Sequence, residues 1–197
     1  MLILTSFGFR SPIVREKLKD VIAPEGKRIM LVPYAGANIP VAAESEIQGL
    51  VAFGFSREMI SVCGDAGEAA EFDYVYVPEG DPFKLLKTLQ ENGLLAWLKR
   101  IVRNGTVYIG ASAGAELAVN DLEYVTLLDD RYGNITDYKG LGLVNDIVLP
   151  HADQRDTTVK MKCKAFCEKE RSLLCIANDS AAVYRREMSG YVLDGIL

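Results

Sequence analysis

The sequence has one histidine and four cysteines among its 197 residues, and these scarcities narrow the chemistry before any motif is read. A zinc site needs about four ligands, of which one can be water. Cys163 and Cys167 are spaced to share a helix face, but no second close cysteine pair accompanies them, so no metal is expected. Four cysteines in a chain long enough to bury its own core do not read as a disulfide framework, and they imply a reducing, cytoplasmic setting. Long apolar runs are missing too: the first residues carry only a short apolar stretch before polar ones, less than a signal peptide or a membrane span requires. Positive charge is not in surplus, with 22 Lys and Arg against 27 Asp and Glu. Neither nucleic acid nor an anionic membrane surface is an expected partner. No phosphate loop or dinucleotide glycine fingerprint is found, and no cofactor is implied.

What is present is the composition of a folded protein, 49% hydrophobic and 25% charged, read as a single domain over residues 1–197. Short β-rich runs at residues 3–5, 28–32, 59–62, 74–77 and 106–109 alternate with helical patterns at 12–22, 41–53 and 82–103, the last broken near Asn92-Gly93. Strands that alternate with helices and are apolar throughout predict an α/β fold with a mostly parallel sheet covered on both faces. From residue 120 the texture changes. A strand at 124–128, a turn at 131–134 and Ile135 predict a β-hairpin extension, followed by a strand at 147–149. A charged amphipathic helix at 153–170 and short strands at 173–176, 181–185 and 191–193 close the chain.

The informative segment is Gly110-Ala-Ser112-Ala-Gly114, a G-x-S-x-G motif between a buried strand and a helical pattern. That is the context a nucleophile elbow requires: a tight strand-to-helix turn leaves no room for side chains at the glycines and lifts the serine hydroxyl above the strand ends. Ser112 is the candidate nucleophile, and it needs a base. His151 is the one imidazole available, 39 residues on, directly after a strand and Pro150. Strand ends are where active sites of open α/β sheets gather.

These residues resemble a known family. The run from Asp81 through Leu95, the block from Gly105 through Ala115, the segment Leu31-Val-Pro-Tyr-Ala-Gly36 and Leu149-Pro-His151 are similar to the dipeptidase E and cyanophycinase family of serine peptidases. The resemblance implies a flavodoxin-like three-layer αβα sandwich related to class I glutamine amidotransferases, with serine in place of their cysteine at the elbow. It implies Ser112 as nucleophile, His151 as base, and backbone N–H groups of Gly80 and Ala113 as the oxyanion hole. For the third triad member the family offers two acidic positions. Asp129 follows the order Ser, Asp, His; Asp179 sits on a late turn, within Asn178-Asp179-Ser180, where relatives carry a glutamate.

The chain departs from the family at Pro78-Glu79-Gly80-Asp81-Pro82, where relatives carry glycines followed by Asn-Thr. A carboxylate at Glu79 would oppose an acidic substrate, and Arg155 is the nearest candidate for a cationic substrate contact. The expected function is therefore a serine peptidase acting on small peptides, as a monomer or homodimer. The rival readings are a catalytically altered or inactive member, and a binding or regulatory module on the same scaffold.

Overall fold

Leu2, Ile3, Leu4 and Thr5 form strand β1 (Leu2–Thr5), buried along its length. Leu2 and Leu4 face one hydrophobic cluster and Ile3 the other, because successive side chains of a strand point to opposite faces. The computed structural model describes residues 1–64, 71–129, 134–167, 172–188 and 190–197. The strands that follow are β2 (Ile29–Leu31), β3 (Ile60–Val62), β4 (Tyr74–Val77), β5 (Val107–Ala111), β6 (Ile147–Leu149), β7 (Leu173–Cys175), β8 (Ala181–Glu187) and β9 (Gly190–Ile196). Seven of them form one sheet in the order β3-β2-β4-β5-β1-β8-β9. β3, β2, β4, β5 and β1 run parallel, whereas β8 is antiparallel to β1 and β9 antiparallel to β8.

Helices cover both faces, which makes the predicted three-layer sandwich. Helices α1 (Pro12–Leu18) and α2 (Ile39–Phe53) place Val14, Leu18, Ile47 and Leu50 against Ile3, Leu31 and Tyr76. Helices α3 (Pro82–Glu91), α4 (Leu94–Arg103) and α5 (Ala113–Leu117) set Phe83, Leu86, Leu98 and Leu117 against Leu4, Val75 and Val77. Asp81 starts α3, its carboxylate accepting from the N–H groups of Phe83 and Lys84 at 2.9 Å each, with Pro82 in the first turn. Gly93, at φ 69, separates α3 from α4, where Asn92-Gly93 predicted a break.

The expected hairpin after α5 is not formed. Residues 123–127 make a short 3-10 helix (Glu123–Leu127) instead of a strand, and residues 131–133 of the expected turn lie outside the described residues. Two contacts favour the helical turn: the Asp121 carboxylate accepts from the Glu123 N–H at 2.8 Å, and the buried Tyr124 hydroxyl donates to the Val148 carbonyl at 2.6 Å. Among the described residues the antiparallel strand pair next in sequence is β8 with β9, at the sheet edge. The late helix starts later than expected, α6 (Thr157–Phe166), because Asp156 caps it by accepting from Val159 N–H, and residues 168–170 of the expected span lie outside the described residues.

β6 and β7 pair in parallel as a separate ribbon, with Leu149 opposite Cys175. The chain therefore leaves both strands at the same end. His151 follows one and Asn178 the other.

Candidate active site

Ser112 stands at the turn from β5 into α5 with φ 49 and ψ −109. A non-glycine residue in such a region costs on the order of 1–3 kcal/mol and persists where its surroundings hold it. Here they do. The Ser112 N–H donates to the Thr5 carbonyl at 3.0 Å and its own carbonyl accepts from the Glu116 N–H at 2.9 Å. A Cβ on Gly110 would lie 2.4 Å from the Gly114 carbonyl oxygen, and one on Gly114 would lie 1.9 Å from that of Val77. The motif's glycines are thus required by the close approach of β4, β5 and α5. Tyr108, fully buried beneath the elbow, donates its hydroxyl to the Gly114 carbonyl at 2.6 Å.

His151 also has a positive φ, 55. Ser6, just past β1, fixes its backbone: the Ser6 hydroxyl accepts from the His151 N–H at 2.9 Å and donates to the Ile176 carbonyl at 3.0 Å. The Phe7 ring packs edge-on against the imidazole, with centroids 4.9 Å apart. In this position His151 Nε2 is 3.0 Å from Ser112 Oγ, and Nδ1 is 2.7 Å from Asn178 Oδ1. An amide oxygen can only accept, so Nδ1 carries the proton and Nε2 is left to accept from the serine hydroxyl. Asn178 is held in turn by its backbone N–H, which donates to Asp153 Oδ1 at 2.9 Å.

The partner of His151 Nδ1 is therefore Asn178, which the sequence reading passed over, and neither acidic candidate. Both imidazole nitrogens are occupied, by Ser112 and Asn178. Asp179 is exposed and lines a surface cavity with Phe7 and Arg10. The reason is register: Ile176 is bonded to Leu149 and to Ala152, and the turn closes through Ser180 N–H to the Ala177 carbonyl, which brings residue 178 and not 179 under the ring. Asp129 lies at the end of the 3-10 helix, its N–H bonded to the Val125 carbonyl, close enough to Glu116 for their charges to interact.

Glu116, one turn into α5, is buried. Loss of hydration first, and the nearby Asp129 charge second, push its carboxyl well above the usual range, opposed by Arg155. Arg155 thus turns its charge toward Glu116 and Cys163. Its Nε is buried and has no hydrogen-bond partner among the described residues.

Glu79 does not stand as a lone charge beside the cleft. It forms an ion pair with Arg10, which follows β1, so the repulsion expected of it is largely offset. Gly80 beside it, at φ 140, lies so close to Ala35 that a Cβ would be 2.4 Å from the Ala35 carbonyl oxygen. Ala113 opens α5 in the first turn, where backbone N–H groups have no partner within the helix. Behind this loop, buried Glu46 accepts from the Tyr76 hydroxyl at 2.9 Å. Burial raises its carboxyl to about 7 against the lowering influence of Tyr76 and Arg10. Among the described residues no group of three or more His, Cys, Asp or Glu side chains could hold a metal ion, and no helix is long and apolar enough to cross a membrane.

Ser6, Phe7, Arg10 and Asn178 are the members of this site that sequence reading missed. Asn178 alone had a signal, its place in the turn where relatives carry an acid.

Known proteins are similar to this chain in sequence and in fold. The profile of peptidase family S51 matches residues 2–191. Peptidase E of Streptomyces coelicolor is 31% identical over 173 residues, covering 87% of this chain and 70% of that protein. An uncharacterized peptidase of Listeria monocytogenes is 28% identical over 136 residues, 64% of this chain and 66% of that one. Among solved structures, a peptidase from an acI-B1 Actinobacterium superposes with a TM-score of 0.65 at 19% identity over 92% of this chain and 81% of that chain, a likeness of fold. On a match that runs almost from end to end, the chain belongs to peptidase family S51, a family of peptide-bond hydrolases.

Proposed function

We propose that this chain is a serine peptidase hydrolysing small peptides through Ser112 and His151, with Asn178 in the third place of the triad. The reading rests on one observation above all, the 3.0 Å approach of His151 Nε2 to the hydroxyl of an elbow serine. Ser112 Oγ attacks the scissile carbonyl while its proton passes to Nε2. Asn178 holds Nδ1–H so that the imidazole keeps the accepting tautomer. The N–H groups of Ala113 and Gly80 receive the oxyanion, a role in which a donor matters by about 10²–10³ in rate. The imidazolium then gives its proton to the leaving amine, and water releases the acyl group by the same route in reverse. The setting is taken as cytoplasmic, with the chain acting as a monomer or homodimer without a cofactor.

Asn178 also supports a second reading. An amide stabilises an imidazolium less than a carboxylate does, as would suit a catalytically altered member that keeps the elbow as a binding scaffold. Labelling with a fluorophosphonate probe separates the two. The peptidase reading expects a covalent adduct on Ser112, lost in Ser112→Ala and strongly slowed in His151→Ala. An unlabelled, folded parent protein would overturn it.

A further inference from the structure

Phe7, whose ring packs on His151, also lines a surface cavity of about 460 Å³ together with Arg10, Ser11, Pro12, Ile13 and Asp179. Its walls are of two kinds. Phe7, Pro12 and Ile13 are apolar, and Ile13 is half exposed, a cost in hydration that a bound aliphatic stem would remove. Arg10 and Asp179 are charged, but their charges are not equally available. Arg10 is paired with Glu79, whereas the Asp179 carboxylate has no ion pair or side-chain hydrogen bond among the described residues. The cavity therefore combines apolar walls with one negative charge that has no ion-pair partner among the described residues, which complements a side chain with a methylene stem and a cationic head.

The geometry also indicates which part of a substrate would reach it. Phe7, a wall of this cavity, packs on the His151 ring, and Asp179 follows Asn178 in the chain. The cavity is thus on the histidine side of Ser112. In acyl transfer the leaving amine must lie on that side, because the histidine delivers its proton there. We propose that this cavity is a specificity subsite for a lysine or arginine side chain on the residue that supplies the leaving amine, with Asp179 as the residue that selects it. The proposal rests on the serine-peptidase reading above.

The test is kcat/KM for Ala-Lys against Ala-norleucine, which differ by the ammonium group alone, with Lys-Ala against norleucine-Ala as the pair that places the charge on the other side of the scissile bond. The parent should prefer Ala-Lys. Asp179→Asn should reduce that preference roughly fivefold, the worth of an accessible ion pair near 1 kcal/mol, and leave the Lys-Ala ratio where it was. Arg10→Gln frees the Glu79 charge and should raise the preference, a direction that a folding defect does not produce. High salt should shrink every one of these ratios. Equilibrium binding of the same peptides to Ser112→Ala protein reads the cavity without hydrolysis. If no peptide is hydrolysed, the peptidase reading fails while the ratio of dissociation constants still decides the subsite. An Ala-Lys preference unchanged in Asp179→Asn, in both rate and binding, would overturn the proposal, as would an equal response of Lys-Ala.

Discussion

His151 Nδ1 and Asn178 Oδ1 are 2.7 Å apart, the position a carboxylate takes in a Ser-His-Asp triad. The amide oxygen accepts from Nδ1–H as a carboxylate oxygen would, but the amide brings no negative charge and its other terminal group is a donor. Orientation and charge stabilisation are therefore separable in this protein by substitution at one residue.

Replacing Asn178 by Asp should raise the basicity of His151, since a neighbouring anion favours the imidazolium. The base works in its neutral form, so the acid limb of the kcat/KM profile should move to higher pH. Asn178→Ala should lower kcat by about tenfold or more through loss of orientation, without moving that limb upward. The pH profiles of the three proteins decide between these roles.

Ser112 and His151 should act as a unit. Ser112→Ala or His151→Ala alone is expected to remove nearly all hydrolysis, and the double variant should be little worse than either. Near-additive losses in kcat/KM would separate the two residues functionally.

Gly114→Ala should be among the most damaging small substitutions, because the added methyl would overlap the Val77 carbonyl at 1.9 Å. A loss of several kcal/mol, or a displaced elbow that no longer takes the fluorophosphonate probe, is expected. Gly26→Ala is the control. It also has a positive φ, 67, but open space around it, and should cost only about 1 kcal/mol from its backbone conformation. Denaturant unfolding of both variants measures the difference.

Glu46 should make stability depend on pH. Its folded-state carboxyl is raised from the ordinary 4.5 to about 7, chiefly by burial, so between those values the native state holds a proton that the unfolded chain releases. Stability should fall as pH rises through that window and level off above it, by an amount on the order of 3 kcal/mol. Glu46→Gln keeps an acceptor for Tyr76 and cannot ionise, so it should flatten this dependence and be the more stable form above pH 7. Thermal unfolding from pH 4.5 to 8 compares the two proteins.

Much of the scaffold was legible because its causes are local. The strand β4, the break at Asn92-Gly93 and the glycine needed at 110 by the nearby Gly114 carbonyl each arise from a few neighbouring residues. The single histidine left one candidate base. The stretch at 124–128 misled because a short apolar run has no period of its own, and the Asp121 carboxylate and the Val148 carbonyl made it helical.

Long-range pairing decided the rest. Which of Asn178 and Asp179 reaches the imidazole depends on how β7 registers against β6, and a preference for carboxylates pointed to the wrong neighbour. The ion-pair partner of Glu79 is Arg10, 69 residues away, and the two meet because β4, β5 and β1 are adjacent and end on the same side of the sheet. Sequence alone determined where the backbone must turn, since turn sterics act between neighbours; only the tertiary structure determined which side chain each turn delivers to which partner, since that follows from strand order and register.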